Sequence, residues 1–438
     1  MKIAYAQMQV LAGHPDINAQ KMLKFIDEAQ KLGAEMIIFP ENSISGDFIG
    51  LAQYQTSFIN ECDDFKAEIL AQSPIKVIFG DFNRNIRVKA GCIGIQNTGK
   101  TIYVYDGSSA VFNSKGEIIQ RADPFKECLN VIDTENIDKI PALKPENPSE
   151  VEKIYKALSY GIKTFLEQIG IKKVVIGVSG GIDSAVAAAL YTKIIGAENV
   201  FLVNMPSKFN SDTTKSLSER LARNLGCKYY VIPIQESVDW TVKQLNDAGI
   251  EVSSFVKENI QARDRSSRIL AAIAASLGGV FTCNANKTES TIGYATMYGD
   301  SAGFLSALAD LWKFQVYELA NYLNKEIYGR EVIPQGIIDI VPSAELSTAQ
   351  NVDEGKGDPL KYPYHDYLFR AFVEKDLTPE DILKFYAEKR LEEEIGRQKG
   401  LVDKYFPTKK AFIDDLERWW RKFTGIAVAN RIQPPPII

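Results

Sequence analysis

Histidine and cysteine are scarce in this sequence. The chain of 438 residues has two histidines, His14 and His365, too few for a histidine-rich metal centre and poor material for an imidazole-based triad. Its five cysteines are scattered and form no CxxC pair, which argues against a disulfide framework or a zinc site and predicts reduced thiols. We therefore expect any chemistry to rest on carboxylates, lysines, backbone amides or a bound cation.

The sequence also lacks long apolar runs and basic tracts. No segment reaches about 18 uninterrupted apolar residues, and residues 1–6 lack the apolar stretch of a signal peptide, so we expect a cytoplasmic protein without a membrane partner. A net charge of -5 and the lack of a Lys/Arg run argue against nucleic acid as the main partner. The remaining composition, 45% hydrophobic and 24% charged, is that of a globular protein with enough chain for two or three domains.

The first third of the chain has the pattern of an α/β unit with a strand-rich end. An apolar run at 3–8, an amphipathic stretch at 18–32 and a second apolar run at 36–39 predict a β-α-β opening. Short β-rich runs punctuated by turn residues follow at 76–80, 92–96, 101–105 and 110–112.

A proline-rich segment separates this part from the rest. Pro141, Pro145 and Pro148 break both helix and strand, and Ser149 is a suitable N-cap for an amphipathic helix that extends to about residue 169. We therefore predict a first domain at 1–140, a linker at 141–148 and a second domain at 149–438.

The second domain alternates strands and helices. Apolar runs at 174–178, 200–205 and 229–234 are separated by helical stretches at 183–195 and 214–225. This alternation predicts a parallel sheet flanked by helices, in an α/β fold of the doubly wound type.

A glycine-rich turn between the first of these strands and its helix carries the strongest signal. Gly180 and Gly181 allow close backbone approach to an anion, Ser179 and Ser184 add hydroxyl groups, and the helix N-terminus supplies unpaired N–H groups. No GxxxxGK[ST] is present, so the turn is not a Walker A loop. The Ser-Gly-Gly-Ile-Asp-Ser segment at 179–184 resembles the loop of the ATP pyrophosphatase group, which implies adenylate formation and Mg²⁺ binding by Asp183. The alternative is an ordinary strand-to-helix turn.

Further motifs narrow the resemblance. The segments at 259–263 (Asn-Ile-Gln-Ala-Arg), 286–289 (Asn-Lys-Thr-Glu), 293–300, 311–313 and 342–346 are similar to motifs of the NAD synthetases and occur in that family's order. The resemblance covers about residues 151–438 and implies a Rossmann-like ATP pyrophosphatase fold. It implies ATP-dependent amidation of deamido-NAD through an adenylate, with ammonia as the nitrogen donor and NAD, AMP and pyrophosphate as products. It also implies a homodimer or a larger homo-oligomer.

The same resemblance assigns roles to individual residues. It implies catalytic roles for Asp183 and Lys313, and Mg²⁺ on Asp183 and Glu289. It places substrate at Phe255, Arg263 and Arg431, the last standing where the family often has a His-Lys pair. The implied ATP contacts are Ser179, Gly180, Gly181, Asp183, Ser184, Met205, Ser207, Thr282, Lys313 and Ser343.

Several of these assignments have alternatives. Either Thr282 or Asn284 occupies the threonine position, because the segment is longer than in the family. Arg263 taken alone fits a solvated helix face, Glu289 a helix cap and Lys313 a surface charge. The segment 353–366 resembles a mobile substrate loop, or is an ordinary surface loop. A GMP-synthetase-like amidase would lack the motifs at 259–263 and 293–300, and a non-catalytic binding protein would not need Asp183, Glu289 and Lys313 together.

The first domain resembles a shortened nitrilase-like glutaminase. Gln7, Gly33-Ala34 and Phe39-Pro40-Glu41 match its beginning, and residues 101–116 match its end, but the middle that holds the lysine and cysteine of a Glu-Lys-Cys triad is missing. We interpret Glu41 as a remnant and expect structural roles for Cys62, Cys92 and Cys128. Ammonia would then come from solution or from a separate glutaminase. The alternative is a glutamine-dependent enzyme that draws ammonia from its own or a partner glutaminase domain.

Overall fold

The computed structural model describes residues 1–431 except Phe48, Arg84, Asn85 and Lys100, and describes only the backbone of Asn136 and of residues 429–431. The chain divides into two compact units, Met1–Gln168 and Ile169–Ile438.

The first unit mixes strands with three helices. Its elements are β1 Lys2–Gln9, α1 Pro15–Lys31, β2 Met36–Phe39, α2 Thr56–Gln72, β3 Lys76–Phe79, β4 Phe82–Asn83, β5 Arg87–Lys89, β6 Cys92–Asn97, β7 Ile102–Asp106, β8 Ala110–Phe112, β9 Ile118–Arg121, β10 Cys128–Asp133 and α3 Glu150–Gln168.

Two sheets form the centre of this unit. The larger has the order β3-β2-β1-β6-β7, with β10 antiparallel to β1, and the smaller has the order β4-β5-β8-β9. Side chains of β1 alternate between two cores: Ala4 and Met8 pack with α1, whereas Ile3 and Tyr5 pack towards the smaller sheet. The unit is therefore layered as helix, sheet and sheet.

Helix α3 packs on β6 and β7 of the first unit. A Cβ added at Gly161 would lie 2.8 Å from a methyl carbon of Val104, so glycine allows the close approach. Ser149 caps this helix as predicted, since its hydroxyl accepts from the Glu152 amide at 3.3 Å. By its contacts α3 belongs to the first unit, while the division into domains at 140 and 149 stays a prediction.

The second unit begins as an α/β layer and ends in helices. Its elements are β11 Val174–Gly177, α4 Ile182–Ile195, β12 Val200–Asn204, α5 Asp212–Leu225, β13 Lys228–Val231, α6 Gln235–Asp247, α7 Ser254–Arg263, α8 Ala271–Leu277, β14 Val280–Phe281, α9 Lys287–Ile292, α10 Lys313–Tyr322, α11 Gln335–Asp339, α12 Tyr362–Glu374, α13 Pro379–Ala387, α14 Leu391–Glu394, α15 Leu401–Tyr405, α16 Lys409–Thr424 and α17 Ile426–Arg431. A π-helical segment, Asp264–Leu270, joins α7 to α8.

The sheet of this unit is fully parallel and has the order β13-β12-β11-β14. The chain order reverses between β11 and β14, which creates a crevice at the carboxyl ends of these two strands. Val175 and Val203 pack with Val238 of α6 and Ala274 of α8, and α4 and α5 also contact the strands. The predicted doubly wound sheet is confirmed, and its switch point fixes where a ligand site is expected.

The C-terminal helices pack around an aromatic core of their own. Tyr364 and Phe369 of α12, with Phe412 and Trp419 of α16, are fully buried in it. This core holds α12 beside α9 and α10. No helix in the described part of the chain is both long and apolar enough to cross a bilayer.

Candidate functional site

The turn between β11 and α4 is built by its own hydroxyl groups. Ser184 Oγ accepts from the Ser179 amide at 3.3 Å and donates to the Gly181 carbonyl at 3.1 Å, and Ser179 Oγ accepts from the Gly181 amide at 3.2 Å. These bonds shape the loop around the N-terminus of α4, where unpaired N–H groups favour an anion.

Gly180 is required by the backbone. Its φ is +89°, and a Cβ there would lie 2.4 Å from the carbonyl oxygen of Thr214 on α5. Gly181 has an ordinary φ of -90° and marks the N-cap of α4. Only the first glycine is therefore dictated by conformation and contact.

Two carboxylates and a lysine meet beside this loop. Lys313, the first residue of α10, places its Nζ 2.5 Å from Asp183 Oδ2 and 3.4 Å from Glu289 Oε1. Asn286 donates to Asp183 Oδ1 at 2.8 Å and also forms a capping box with Glu289 at the start of α9. Glu289 therefore both caps α9 and faces Lys313.

Burial and mutual charge act in opposite directions on these side chains. Burial, opposed by Lys313 and reinforced by Asp183, raises the pKa of Glu289 to about 8. Burial alone would lower the pKa of Lys313, but the two carboxylates outweigh it and hold that pKa above its ordinary value. Lys313 is therefore a charged ammonium. A cation bound beside Glu289 would favour the ionised form of its carboxyl group and so lower its raised pKa.

The cleft is lined on its other side by residues that follow β12 and by the π-helical segment. Arg265 donates to the Met205 carbonyl at 3.1 Å and to Asn210 Oδ1 at 3.0 Å. Burial lowers the pKa of Arg265 to about 10 against the pull of nearby carboxylates, which leaves it charged at neutral pH. A π-helical turn widens the helix locally and is frequent at functional sites.

Residues between 341 and 358, which follow α11, also line the cleft. Ser343 donates to the Gln350 carbonyl at 2.6 Å, and Asp358 Oδ1 accepts from Tyr294 Oη at 3.2 Å and from the Ala344 amide at 3.1 Å. Asp358 Oδ2 accepts from Tyr362 Oη at 3.1 Å. The stretch predicted as a loop at 353–366 therefore includes the start of α12 and a carboxylate that joins the surrounding segments.

The structure brings most of the predicted residues into one cleft of about 240 Å³. Those that line it are Ser179, Gly181, Asp183, Ser184, Met205, Thr282, Glu289, Lys313 and Ser343. Asn284 lines it too, and it accepts from the Thr282 hydroxyl at 2.8 Å, so the choice between these two residues stays open.

Four predicted residues do not line the cleft in the described part of the chain, and the side chain of a fifth, Arg431, is not described. Gly180 is buried against α5, and the Ser207 hydroxyl faces Asn210 at 3.4 Å. Arg263 is exposed and donates to the Met297 carbonyl at 3.1 Å, while the Phe255 side chain is 71% exposed. Arg431 ends α17, and its side chain lies outside the described residues. Their assigned ligand contacts remain predictions.

Sequence reasoning did not single out several residues of the site. Asn286 could have been found, because an asparagine three residues before a glutamate is the signature of a helix start. Asp366 is an acidic residue on the apolar face of α12, which signals burial with partners, and burial raises its pKa to about 6. Arg265 lies two residues after Arg263, and Asp358 lies in the segment 353–366, but the local sequence assigns neither residue a role.

The donor set fits Mg²⁺ held jointly with phosphate oxygens. Asp183 and Glu289 face the same cleft from different helices, and Mg²⁺ in phosphate sites takes one or two carboxylates plus substrate oxygens. Among the described residues, no group of three or more histidine, cysteine or acidic side chains could hold a metal ion alone. The remaining ligands would have to come from a nucleotide and water.

The first unit contains no comparable constellation among its described residues. Glu41 is exposed, and among the described residues it forms no hydrogen bond or ion pair with a lysine or a cysteine. Burial raises the pKa of the thiols of Cys62, Cys92 and Cys128, which disfavours the nucleophilic thiolate.

Strand order and loop chemistry together define a class. A lysine-free Ser-Gly-Gly-Ile-Asp-Ser turn at the switch point of a parallel sheet places the second unit among the α/β domains of the ATP pyrophosphatase type. Residues 154–399, more than half of the chain, match the NAD synthase family. The chain belongs to this family. Residues 2–80 match the carbon-nitrogen hydrolase family, which agrees with the predicted nitrilase-like beginning.

Curated relatives include two bacterial enzymes. The glutamine-dependent NAD(+) synthetase of Synechocystis sp. is 34% identical over 293 residues, which cover 64% of this chain and 50% of that protein. The enzyme of the same name from Thermotoga maritima is 31% identical over 320 residues, covering 65% and 54%. The chain thus spans about half the length of the curated relatives it matches.

Solved structures give the same fold over nearly the whole chain. A glutamine-dependent NAD+ synthetase from Acinetobacter baumannii in complex with ADP has a TM-score of 0.67 at 22% identity, covering 96% of this chain and 94% of that chain. One from Cytophaga hutchinsonii has a TM-score of 0.74 at 15% identity, covering 97% and 92%. At such identities the likeness concerns the fold.

Proposed function

We propose that this chain catalyses the ATP-dependent amidation of deamido-NAD. The observation that carries the proposal is the convergence of the Ser179–Ser184 loop with Asp183, Glu289 and Lys313 in one cleft at the switch point of the sheet. Membership of the NAD synthase family supports the choice of deamido-NAD among the substrates that such a cleft could activate.

In this proposal each side of the cleft has a task. The loop amides and the N-terminus of α4 bind the ATP phosphates, while Met205 and either Thr282 or Asn284 lie beside the nucleoside. Asp183 and Glu289 would hold Mg²⁺, which when bound neutralises charge on the phosphates. Lys313 supplies a positive charge to the phosphoryl oxygens, where charge gathers in the transition state.

The reaction proceeds in two displacements. A carboxylate oxygen of the nicotinate group attacks the α-phosphorus of ATP, the bond to the β-phosphate oxygen breaks, and pyrophosphate leaves. Ammonia then attacks the carbonyl carbon of the adenylate, AMP leaves with the bonding electrons, and the nitrogen loses a proton to give the amide of NAD. Lys313 and the loop amides hold the phosphates in line, so the protein contributes mainly positioning and charge.

The source of ammonia is a separate question. The missing middle of the nitrilase-like domain favours free ammonia, whereas the names of the curated relatives favour the alternative, glutamine dependence. We propose glutamine-derived ammonia as the donor. Because Glu41 is exposed and burial raises the pKa of the thiols of Cys62, Cys92 and Cys128, we further propose that a partner glutaminase hydrolyses the glutamine. The predicted homodimer remains a proposal.

The test is a product assay on the purified chain. ATP, deamido-NAD and Mg²⁺ are supplied with ammonium or with glutamine, and NAD and AMP are separated by chromatography. We expect equal amounts of NAD and AMP with ammonium, and a rate lower by about 10³-fold in Asp183→Asn and Lys313→Ala. Failure to form AMP with ammonium present would refute the proposal, and AMP formation from xanthosine monophosphate instead would favour a GMP-synthetase-like enzyme.

A further inference from the structure

Helix α12 contacts the side chain of Lys313 and residues that lie next to its backbone. Near its N-terminus, the ring of Tyr362 lies 4.9 Å from Lys313 Nζ, within cation-π range. One turn later, Asp366 reaches the backbone around Lys313. The two residues are four positions apart and therefore lie on the same face of the helix.

Asp366 joins the first turns of α9 and α10. Its Oδ1 accepts from the Thr288 hydroxyl at 2.6 Å, and its Oδ2 accepts from the Phe314 amide at 2.8 Å. Thr288 Oγ1 in turn accepts from the Lys313 amide at 3.0 Å. Asp366 is 1% exposed and Thr288 is fully buried, so water does not compete for these bonds.

The bonded residues are direct neighbours of the chemical groups. Thr288 precedes Glu289 on α9, and Phe314 follows Lys313 on α10. The amides of Lys313 and Phe314 belong to the first turn of α10 and have no partner within their own helix. A single buried carboxylate with one hydroxyl therefore sets the position of Lys313 relative to Glu289.

Helix α12 is held in place by a contact with α16. His365 Nδ1 accepts from the Lys361 amide at 2.8 Å, which assigns the proton to Nε2, and Nε2 lies 2.8 Å from Asp415 Oδ2 on α16. This pair ties the start of α12 to the aromatic core, so the Asp366 carboxylate is presented by a rigid element.

We propose that Asp366, acting through Thr288, is a positioning residue that holds Lys313 at the phosphate side of the cleft. The inference rests on the proposed function and gives a role to Thr288 and Asp366, to which the sequence resemblance assigns none. A displaced Lys313 would lose charge stabilisation of the transition state more than it would lose ground-state binding.

The sharpest test is a pair of substitutions at position 288. Thr288→Ser keeps the hydroxyl, whereas Thr288→Val keeps the shape and removes it. We expect kcat of Thr288→Val to fall about 10- to 100-fold with KM values changed less than about 3-fold, and Thr288→Ser to retain kcat within about 3-fold of wild type. Asp366→Ala should behave like Thr288→Val if it folds.

Thr378→Ala is the matched control. Thr378 caps α13 with a hydroxyl and a carboxylate partner, Asp381, in a similar arrangement outside the cleft. Thr378→Ala should leave kcat unchanged, and it should lower Tm by less than Thr288→Val does because Thr378 is only half-buried. A wild-type kcat in Thr288→Val, or an equal fall in kcat in both Thr288 variants, overturns the positioning role.

Hydrogen exchange makes the outcome independent of the reaction. In substrate-free protein, the amides of Lys313 and Phe314 should exchange at least about 10-fold faster in Thr288→Val than in Thr378→Ala or wild type. Unchanged exchange would refute the inference by itself. If the wild-type chain lacks ligase activity but the variants still show this exchange pattern, the proposed function is refuted. The positioning of Lys313 by Asp366 and Thr288 is then still supported.

Discussion

At the scale of single residues, the chemistry depends on side chains that are distant in sequence. Asp183 follows β11, Glu289 belongs to α9 and Lys313 begins α10, and their charged atoms lie within 3.4 Å of the lysine. Bringing two carboxylates and an ammonium into a partly closed cleft costs desolvation, which mutual pairing offsets. Such a group is expected where charge must be neutralised during a reaction.

The two glycines of the loop give the first residue-scale prediction. Gly180→Ala adds a Cβ at 2.4 Å from a backbone oxygen and forces a residue to φ +89°, whereas Gly181→Ala meets only Ser179 Oγ at 3.3 Å. Strain of about 1–3 kcal/mol should weaken ATP binding by Gly180→Ala about 10- to 100-fold. Gly181→Ala should bind within about 3-fold of wild type.

Isothermal titration calorimetry with ATP compares the two glycine variants directly. Circular dichroism of each variant checks that the fold persists. Equal ATP affinities in the two proteins would contradict the distinction between a glycine required by geometry and one that is merely tolerated.

At the scale of elements, helices α12 and α16 support the cleft from the helical part of the second unit. Their contact includes the buried His365–Asp415 pair, with Phe369 stacked on the imidazole at 5.5 Å and Trp419 packed edge-on at 5.3 Å. Burial lowers the pKa of His365 below its ordinary value of 6.5, against the opposing pull of Asp415.

The lowered pKa gives a pH prediction with a definite sign. Below pH 6.5 the unfolded chain binds a proton at His365 more readily than the folded chain does, so stability from the neutral imidazole is present above pH 6.5 and lost as pH falls below it. Denaturant unfolding of wild type and His365→Gln from about pH 8 to about pH 5 measures this term. The difference in unfolding free energy should shrink towards low pH, and a constant difference would speak against it.

At the scale of the whole molecule, the chain combines a unit that matches the NAD synthase family with a nitrilase-like unit in which Glu41 has no catalytic partner among the described residues. In the large sheet of the first unit, two strands pair with the same edge of β1. Strand β10 pairs with residues 2–7 of β1, and β6 pairs with residues 8–9. The unit therefore has a formed core without the middle segment of a glutaminase.

The nitrogen source is the prediction that belongs to this scale. Glu41→Ala should leave the ammonium-driven rate of NAD formation within about 2-fold of wild type, since an exposed side chain without hydrogen bonds contributes little to the fold. Glutamine should support the reaction only when a glutaminase is added. Efficient glutamine use by the purified chain, abolished by Glu41→Ala, would place the hydrolysis in this chain.

Local patterns account for what the sequence determined by itself. Periodicity located β2 and β8 at their observed bounds, and it located β11, β12, β13, α4 and α5 of the second unit to within a few residues. The glycine-serine turn marked the loop at the start of α4. These features depend on side-chain period and backbone freedom, which neighbouring residues encode. The helices that follow α6 were largely not located from the sequence. The strands β4, β5, β9 and β10 were missed. Strand β10 pairs with β1 at the other end of the unit, which no local pattern specifies, whereas β4, β5 and β9 are only two to four residues long and pair within the small sheet.

Only the tertiary structure decided which polar residues act together. In the structure, the Ser207 hydroxyl faces Asn210, and Phe255 and Arg263 are exposed. Arg265 and Asp358 line the cleft, and Asp366 bonds to Thr288 beside it. Such assignments depend on contacts between residues up to about a hundred positions apart, which no local pattern specifies. The burial that raises or lowers their pKa values likewise exists only after the elements have packed.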